Sequence, residues 1–152
     1  MLWPSWLEDY DFPWLGISAI IGDVAFVCPA RWTVQAHVSH NRRAYHYHFT
    51  HVTVAGELYR IGAFHGSEIP FVFDSFGIFH PTDDERELSR IMRDYWLSFA
   101  MTGEPMSLDG VDWPAYDLVE DSSLELSTID MAMRMGWGAD TCAFWKDVLG
   151  LN

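Results

Sequence analysis

Apolar and polar positions follow two different periods along this chain, and the periods divide it into helical and extended stretches. Ile17, Ile20, Ile21, Val24 and Cys28 recur three and four residues apart, the spacing of one helix face. Pro29 suits the first turn of a second helix reaching about Val38, and Ser39 to Arg43 reads as the connection that follows. Met1 to Gly16 is rich in Trp, Pro and Asp without a period and is expected to be irregular. Ala44 to Val52 is aromatic and β-branched between turn-prone flanks, which predicts a strand. Tyr45, Tyr47 and Phe49 fall on one face of it, and His46, His48, Thr50 and Val52 on the other. Bulky groups on both faces predict an interior strand covered on both sides.

The clearest element follows Pro81. Thr82 and Glu85 have the spacing at which a hydroxyl and a carboxylate satisfy the free amides of a helix start. Leu88, Ile91, Met92, Tyr95, Trp96 and Phe99 then form one apolar face, and Gly103 with Pro105 supplies the stop. The stretch from Trp113 to Leu126 has room for one or two short strands. Asp140 is placed to cap a last helix running through Phe144, Trp145, Val148 and Leu149 to Gly150. No internal repeat, low-complexity tract or linker interrupts the pattern, and 152 residues fit one domain.

Composition narrows the function classes. The chain is 49% hydrophobic and 16% aromatic with eight tryptophans, which is the make-up of a globular protein with large faces to bury. A net charge of −13 repels a nucleic-acid backbone or an anionic membrane, and no basic run offsets it. No run of 18 unbroken apolar residues is present, and the N-terminus has neither a basic nor an apolar leader region, so neither a membrane span nor a secretion signal is expected. Cys28 and Cys142 lack metal-like spacing, and spacing alone leaves a disulfide and two free core thiols equally open.

Seven histidines are the natural candidates for chemistry. His46, His48 and His51 lie close together on the predicted strand, but a metal site needs further ligands of compatible geometry, so packed or hydrogen-bonded rings are expected. His37, His40 and His80 fall near element ends and read as solvated. His65 differs because Gly62 and Gly66 flank it in a loop beyond a strand, where the backbone turns sharply and leaves the ring accessible for general-base work.

The segment GAFHGSEIPFVF around His65 resembles the catalytic-histidine signature of the carboxylesterase and cholinesterase family. Four other stretches are similar in the family's order: IGDVAFVCPA from Ile21, YHYHF from Tyr45, YWLSFAMTGEP from Tyr95 with the later WPAY from Trp113, and CAFW from Cys142. The resemblance implies an α/β fold, the C-terminal portion of an α/β hydrolase over residues 1–152. Its expected parts are a final sheet strand near Ala44 to Val52, the catalytic-histidine loop, a long packing helix, and terminal strands and helix.

The resemblance also implies carboxylic ester hydrolysis without a cofactor. A serine attacks the ester carbonyl, a histidine takes its proton and a carboxylate orients the imidazole. His65 matches the histidine. No G-x-S-x-G elbow occurs, since the surroundings of Ser18 and Ser67 both fail the pattern. The family's nucleophile, acid and oxyanion loop lie upstream of the matched region, so the chain alone is expected to be inactive. The implied partners are a small-molecule ester for the complete enzyme and the missing N-terminal part of the fold.

By resemblance, Glu68 and Asp23 are expected to support the site from behind and Cys28 to pair with Cys142, while Ser67 either faces the substrate or tightens the loop. That pairing would favour an extracellular or periplasmic location. The rival readings are a catalytically silent adhesion or assembly protein of the same fold, and a small metal-binding protein built on His46, His48 and His51.

Overall fold

The structure is a computed structural model describing residues 13–78 and 80–151. Nearly all of the irregular stretch expected before Gly16 lies outside those residues. Within them, helix begins at Pro13, earlier than the apolar period suggests, because Pro at a first turn is compatible with helix geometry and the run Trp14–Leu15 extends it. Helix α1 (Pro13–Gly22) passes through one π-helical segment (Asp23–Val27) into α2 (Cys28–Ser39). The two helices expected from the spacing are therefore one stretch with a change of register.

Among the described residues this stretch, Pro13–Ser39, is long and apolar enough by length and composition to cross a membrane. A rule requiring an unbroken apolar run overlooks it because Asp23 and Arg31 interrupt the run. In this fold it is fastened sideways. Cys28 is disulfide-bonded to Cys142 with their Cα atoms 5.3 Å apart, and Arg31 pairs with Asp121 three residues further along.

Strand β1 (Tyr47–Phe49) is shorter than the extended stretch expected from Ala44 to Val52. Its neighbour β2 (Ser122–Leu126) runs parallel to it, and β3 (Ala132–Met135) runs antiparallel to β2, in the order β1-β2-β3. The chain thus adds two strands after β1, which is not the last in the sheet. Extended backbone continues on either side of β1. Ala44 accepts from Tyr116 N–H, His46 from Leu124 N–H, and Thr50 N–H donates to Leu126. These bonds all lead to the β2 side. Among the described residues nothing pairs with the other edge of β1, and ladder assignment shrinks to the few residues that one neighbour can hold.

Both faces of β1 are covered. On one, Tyr47 meets Trp96 edge-on with ring centroids 5.1 Å apart, and Tyr45 meets Trp113 at 6.0 Å. On the other, His46 lies edge-on to Tyr116 and His48 lies against Trp137. Helix α5 (Asp83–Thr102) carries the first face, with Leu88, Met92 and Tyr95 buried against Leu124 and Leu126. Phe99, expected on that buried face, is exposed because the sheet beneath it stops at β1.

Two short helices, α3 (Val54–Leu58) and α4 (Ile69–Phe73), flank the His65 loop. The last helix, α6 (Ala139–Leu149), starts after Gly138 in a left-handed conformation. Asp140, expected as its cap, sits in the first turn, where its charge still favours the helix dipole.

The start of α5 also anchors β1. Thr82 and Glu85 exchange both hydrogen bonds of a capping box, at 2.8 and 3.1 Å. The other Glu85 oxygen lies 2.9 Å from Nε2 of buried His51, whose Nδ1 is 3.1 Å from the Thr128 hydroxyl. One carboxylate thereby joins the helix start, the end of the β1 segment and the turn after β2.

Two expectations follow. Burial alone would raise the Glu85 pKa, but the bonds from His51 and from the Thr82 amide outweigh it and hold it below the ordinary 4.5. A depressed carboxylate pKa contributes stability that is present above the unfolded value and is lost as pH falls through the folded value. Urea titrations from pH 6 downward should show this loss in the wild type and a shallower one in Glu85→Gln, which should also be less stable by about 1–3 kcal/mol at neutral pH. Separately, replacing Cys142 by Ser should cost about 4 to 5 kcal/mol in the chain-entropy model. Non-reducing peptide mapping of protein from an oxidising compartment should recover the Cys28 and Cys142 peptides as one species.

Candidate active site

The His65 loop is shaped by what lies on each side of it. Thr53 caps α3 through the Gly56 amide at 3.2 Å, and a side chain at Gly56 would collide with the Gly62 carbonyl. The absence of a Cβ there lets the start of the loop lie directly on α3. Gly62 and Gly66 take positive φ, 63° and 85°, which reverses the chain on both sides of His65. Ser67 N–H then bonds Phe64 C=O at 3.0 Å, and the chain enters α4, whose Phe71 is buried beneath α5. The Ser89 hydroxyl donates to Phe71 C=O at 2.7 Å and fixes that end.

This arrangement leaves the His65 side chain exposed at the mouth of an open cleft of about 620 Å³. One wall is the face of α2 and the π-helical segment, and residues 44–49, the β1 segment, also line it. Ser67 and Glu68 also line the cleft. Ser67 is buried and Glu68 half-buried. The Glu68 charge reaches Tyr47, whose hydroxyl pKa is raised first by burial and then by that carboxylate.

Asp23 is half-buried and is not among the residues lining the cleft. Burial raises its pKa, and the Trp145 indole of α6 acts in the opposite sense by favouring the carboxylate. The structure therefore brings His65, Ser67 and Glu68 to one opening and places Asp23 toward α6. Cys28 and Cys142, both fully buried, tie α2 to α6.

The strand histidines belong to the packing. His48 has its pKa pushed down to about 4 by burial and by His46, and His46 is lowered by burial and by Arg31. His51 is engaged by Glu85 and Thr128. Among the described residues no group of three or more His, Cys, Asp or Glu side chains is placed to hold a metal ion.

Three participants were not singled out from the sequence. Phe26 stacks on the His65 ring with centroids 4.0 Å apart, and Trp137 lies against His48. Arg31 bonds the Trp137 carbonyl at 3.1 Å and pairs with Asp121, which also receives the Tyr116 hydroxyl. The flanking Gly136 and Gly138 were a local signal for Trp137, since both take positive φ and present the indole on a turn. Phe26 falls inside a matched stretch but has no local mark of its own.

The model of the carboxylesterase family matches residues 8–145. This chain belongs to the carboxylesterase family. It is 34% identical to acetylcholinesterase 1 of Caenorhabditis elegans, in a match covering 93% of this chain and 26% of that protein. It is 35% identical to the acetylcholinesterase of Bungarus fasciatus, with 88% and 23% covered, and 35% identical to human carboxylesterase 5A, with 77% and 21% covered. The chain thus spans about a quarter of the length of these relatives. Its small sheet between helices is a mixed α/β arrangement consistent with a fragment of that family's hydrolase fold.

A titration reports the burial of His48. His48 should stay neutral until about pH 4 in a histidine-resolved NMR titration. Because its folded pKa lies below the unfolded value of 6.5, the folded state resists the proton that the unfolded chain accepts. Stability should therefore fall as pH drops from about 6.5 toward 4, and His48→Phe should flatten that part of the profile.

Proposed function

We propose that this chain is the C-terminal, histidine-bearing part of a carboxylic ester hydrolase that works by acyl-serine chemistry. The observation that carries the reading is the placement of His65, an exposed imidazole on a glycine-hinged loop at a cleft lined by the β1 segment, a strand with one neighbour among the described residues. A general base needs an accessible ring nitrogen and a nucleophile within hydrogen-bond reach. The loop supplies the first. The second would arrive with a segment carrying a G-x-S-x-G elbow, the acid and the oxyanion donors.

In that assembly His65 accepts the serine proton as the hydroxyl attacks the ester carbonyl and returns it to the leaving alkoxide. Glu68 and Asp23 act as supporting carboxylates, Glu68 at the cleft and Asp23 through the segment that carries Phe26. Ser67 lies at the inner end of the loop, on the side a substrate would approach. No cofactor enters the chemistry. The partner is the N-terminal part of the fold, adding strands beside β1, and the substrate is a small-molecule ester.

The net charge of −13 argues against nucleic acid as a partner. The disulfide, the Arg31–Asp121 pair and the seating of Phe26 on His65 argue for a Pro13–Ser39 helix fastened to the fold in place of a membrane span. A buried disulfide also favours an oxidising compartment, extracellular or periplasmic.

The chain alone should turn over a p-nitrophenyl ester no faster than an equal concentration of free imidazole. Each missing oxyanion donor is typically worth about 10² to 10³ in rate, and triad members act as a unit. Adding an N-terminal fragment with the serine elbow should restore turnover, and His65→Ala should abolish the restored activity. Robust turnover by the chain alone that titrates with a serine-directed organophosphate would sink the proposal. If the fragment binds and no activity returns, the silent assembly reading is favoured.

A further inference from the structure

The ring of His65 is held in an unusual way for an imidazole with a task. Among the described residues it makes no hydrogen bond, and its one ring contact is with Phe26. The planes are 21° apart with centroids separated by 4.0 Å, so the rings lie nearly parallel and one imidazole face is covered. The ring edge, which carries both nitrogens, stays free of this contact.

Phe26 occupies the π-helical segment Asp23–Val27, where the helix changes register between α1 and α2. Such segments re-aim side chains and recur at functional sites. The segment is held at its far end by Cys28, one helical step beyond Val27, through the disulfide to α6. Phe26 is nonetheless 44% exposed and lies over the cleft. Its burial contributes less than that of a core phenylalanine, and its contact with His65 is what its position provides.

We propose that Phe26 is a positioning residue for His65. It fixes the plane of the imidazole, so that rotation of the ring about its own bond cannot swing the nitrogens out of the cleft. That this orientation serves catalysis rests on the reading of His65 as the general base of an ester hydrolase. A leucine at position 26 would fill comparable space without a π face, whereas tyrosine would keep the face.

The test begins on the chain as it is. Aromatic NMR of the labelled protein, with His65 assigned from its loss in His65→Gln, should show His65 ring protons displaced upfield relative to those of His80. Cross-relaxation to the Phe26 ring should accompany the displacement. Both signals should vanish in Phe26→Leu and persist in Phe26→Tyr, with the remaining aromatic spectrum unchanged in each.

With the serine-bearing fragment added, Phe26→Leu should lower kcat by about two- to five-fold at unchanged KM, and Phe26→Tyr should recover it. The proposal is overturned if the wild type shows no Phe26–His65 cross-relaxation, if the His65 resonances are the same in a folded Phe26→Leu variant, or if kcat is equal in the two. A stack present in the spectra beside a fully assembled but inactive complex would instead count against the ester-hydrolase reading, because the spectral arm does not depend on turnover.

Discussion

A strand covered on both faces favours a hydrogen-bonding neighbour on both edges, and among the described residues β1 has one. Most of what is unusual here follows from that constraint. Peptide groups without partners cost free energy where water is excluded, so an open edge beside covered faces favours pairing with a further strand. Large apolar side chains remain exposed on the helices that flank the sheet. On one side Ile17, Ile21 and Phe26 of the first helical stretch remain exposed, and on the other Leu97, Phe99 and Met101 of α5 do. The cleft beside His65 lies between that first helical stretch and residues 44–49 of the β1 segment.

The rest of the fold compensates with ties between distant parts of the chain. Glu85 joins the start of α5 to His51 and, through it, to Thr128. Arg31 joins α2 to Asp121 and to the turn carrying Trp137, and the disulfide joins α2 to α6. Each tie is buried or nearly so, where hydrogen bonds and ion pairs are least screened and most costly to break. They hold the histidine loop, the sheet and the terminal helix in one arrangement, although the sheet has three strands among the described residues.

What could be read from the sequence divides by the range of the interaction. The helix at Asp83–Thr102 was legible from Thr82, Glu85 and Gly103, because its start and stop signals are local. The His65 loop was legible for the same reason, through Gly62 and Gly66. The extent of β1 was not, since ladder length depends on neighbours that a single strand cannot specify. Helices α3 and α4 are five residues each, too short for a period to register, and are held by Thr53 and by packing under α5. The packed state of the strand histidines followed from the lack of further ligands, but the pairing of His51 with Glu85, 34 residues away, is a tertiary fact. The cysteine pair was open from spacing and became an expectation only through the family resemblance, as did the roles of Asp23, Glu68 and Ser67. Phe26 had no local mark because its role comes from a change in helix register.

The bond between Cys28 and Cys142 has a topological consequence beyond stability. It closes a ring of chain with a sequence separation of 114, which contains the whole sheet, the histidine loop and α5. A single proteolytic cut anywhere inside that ring opens the circle without releasing a piece. The exposed loop around His65 could thus be nicked while the molecule keeps its mass, apart from one water, on a non-reducing gel. Only reduction would reveal two fragments. The ring also limits how the chain can be extracted through a narrow pore. A translocase or unfoldase pulling from either terminus would meet a doubled strand until the bond was broken.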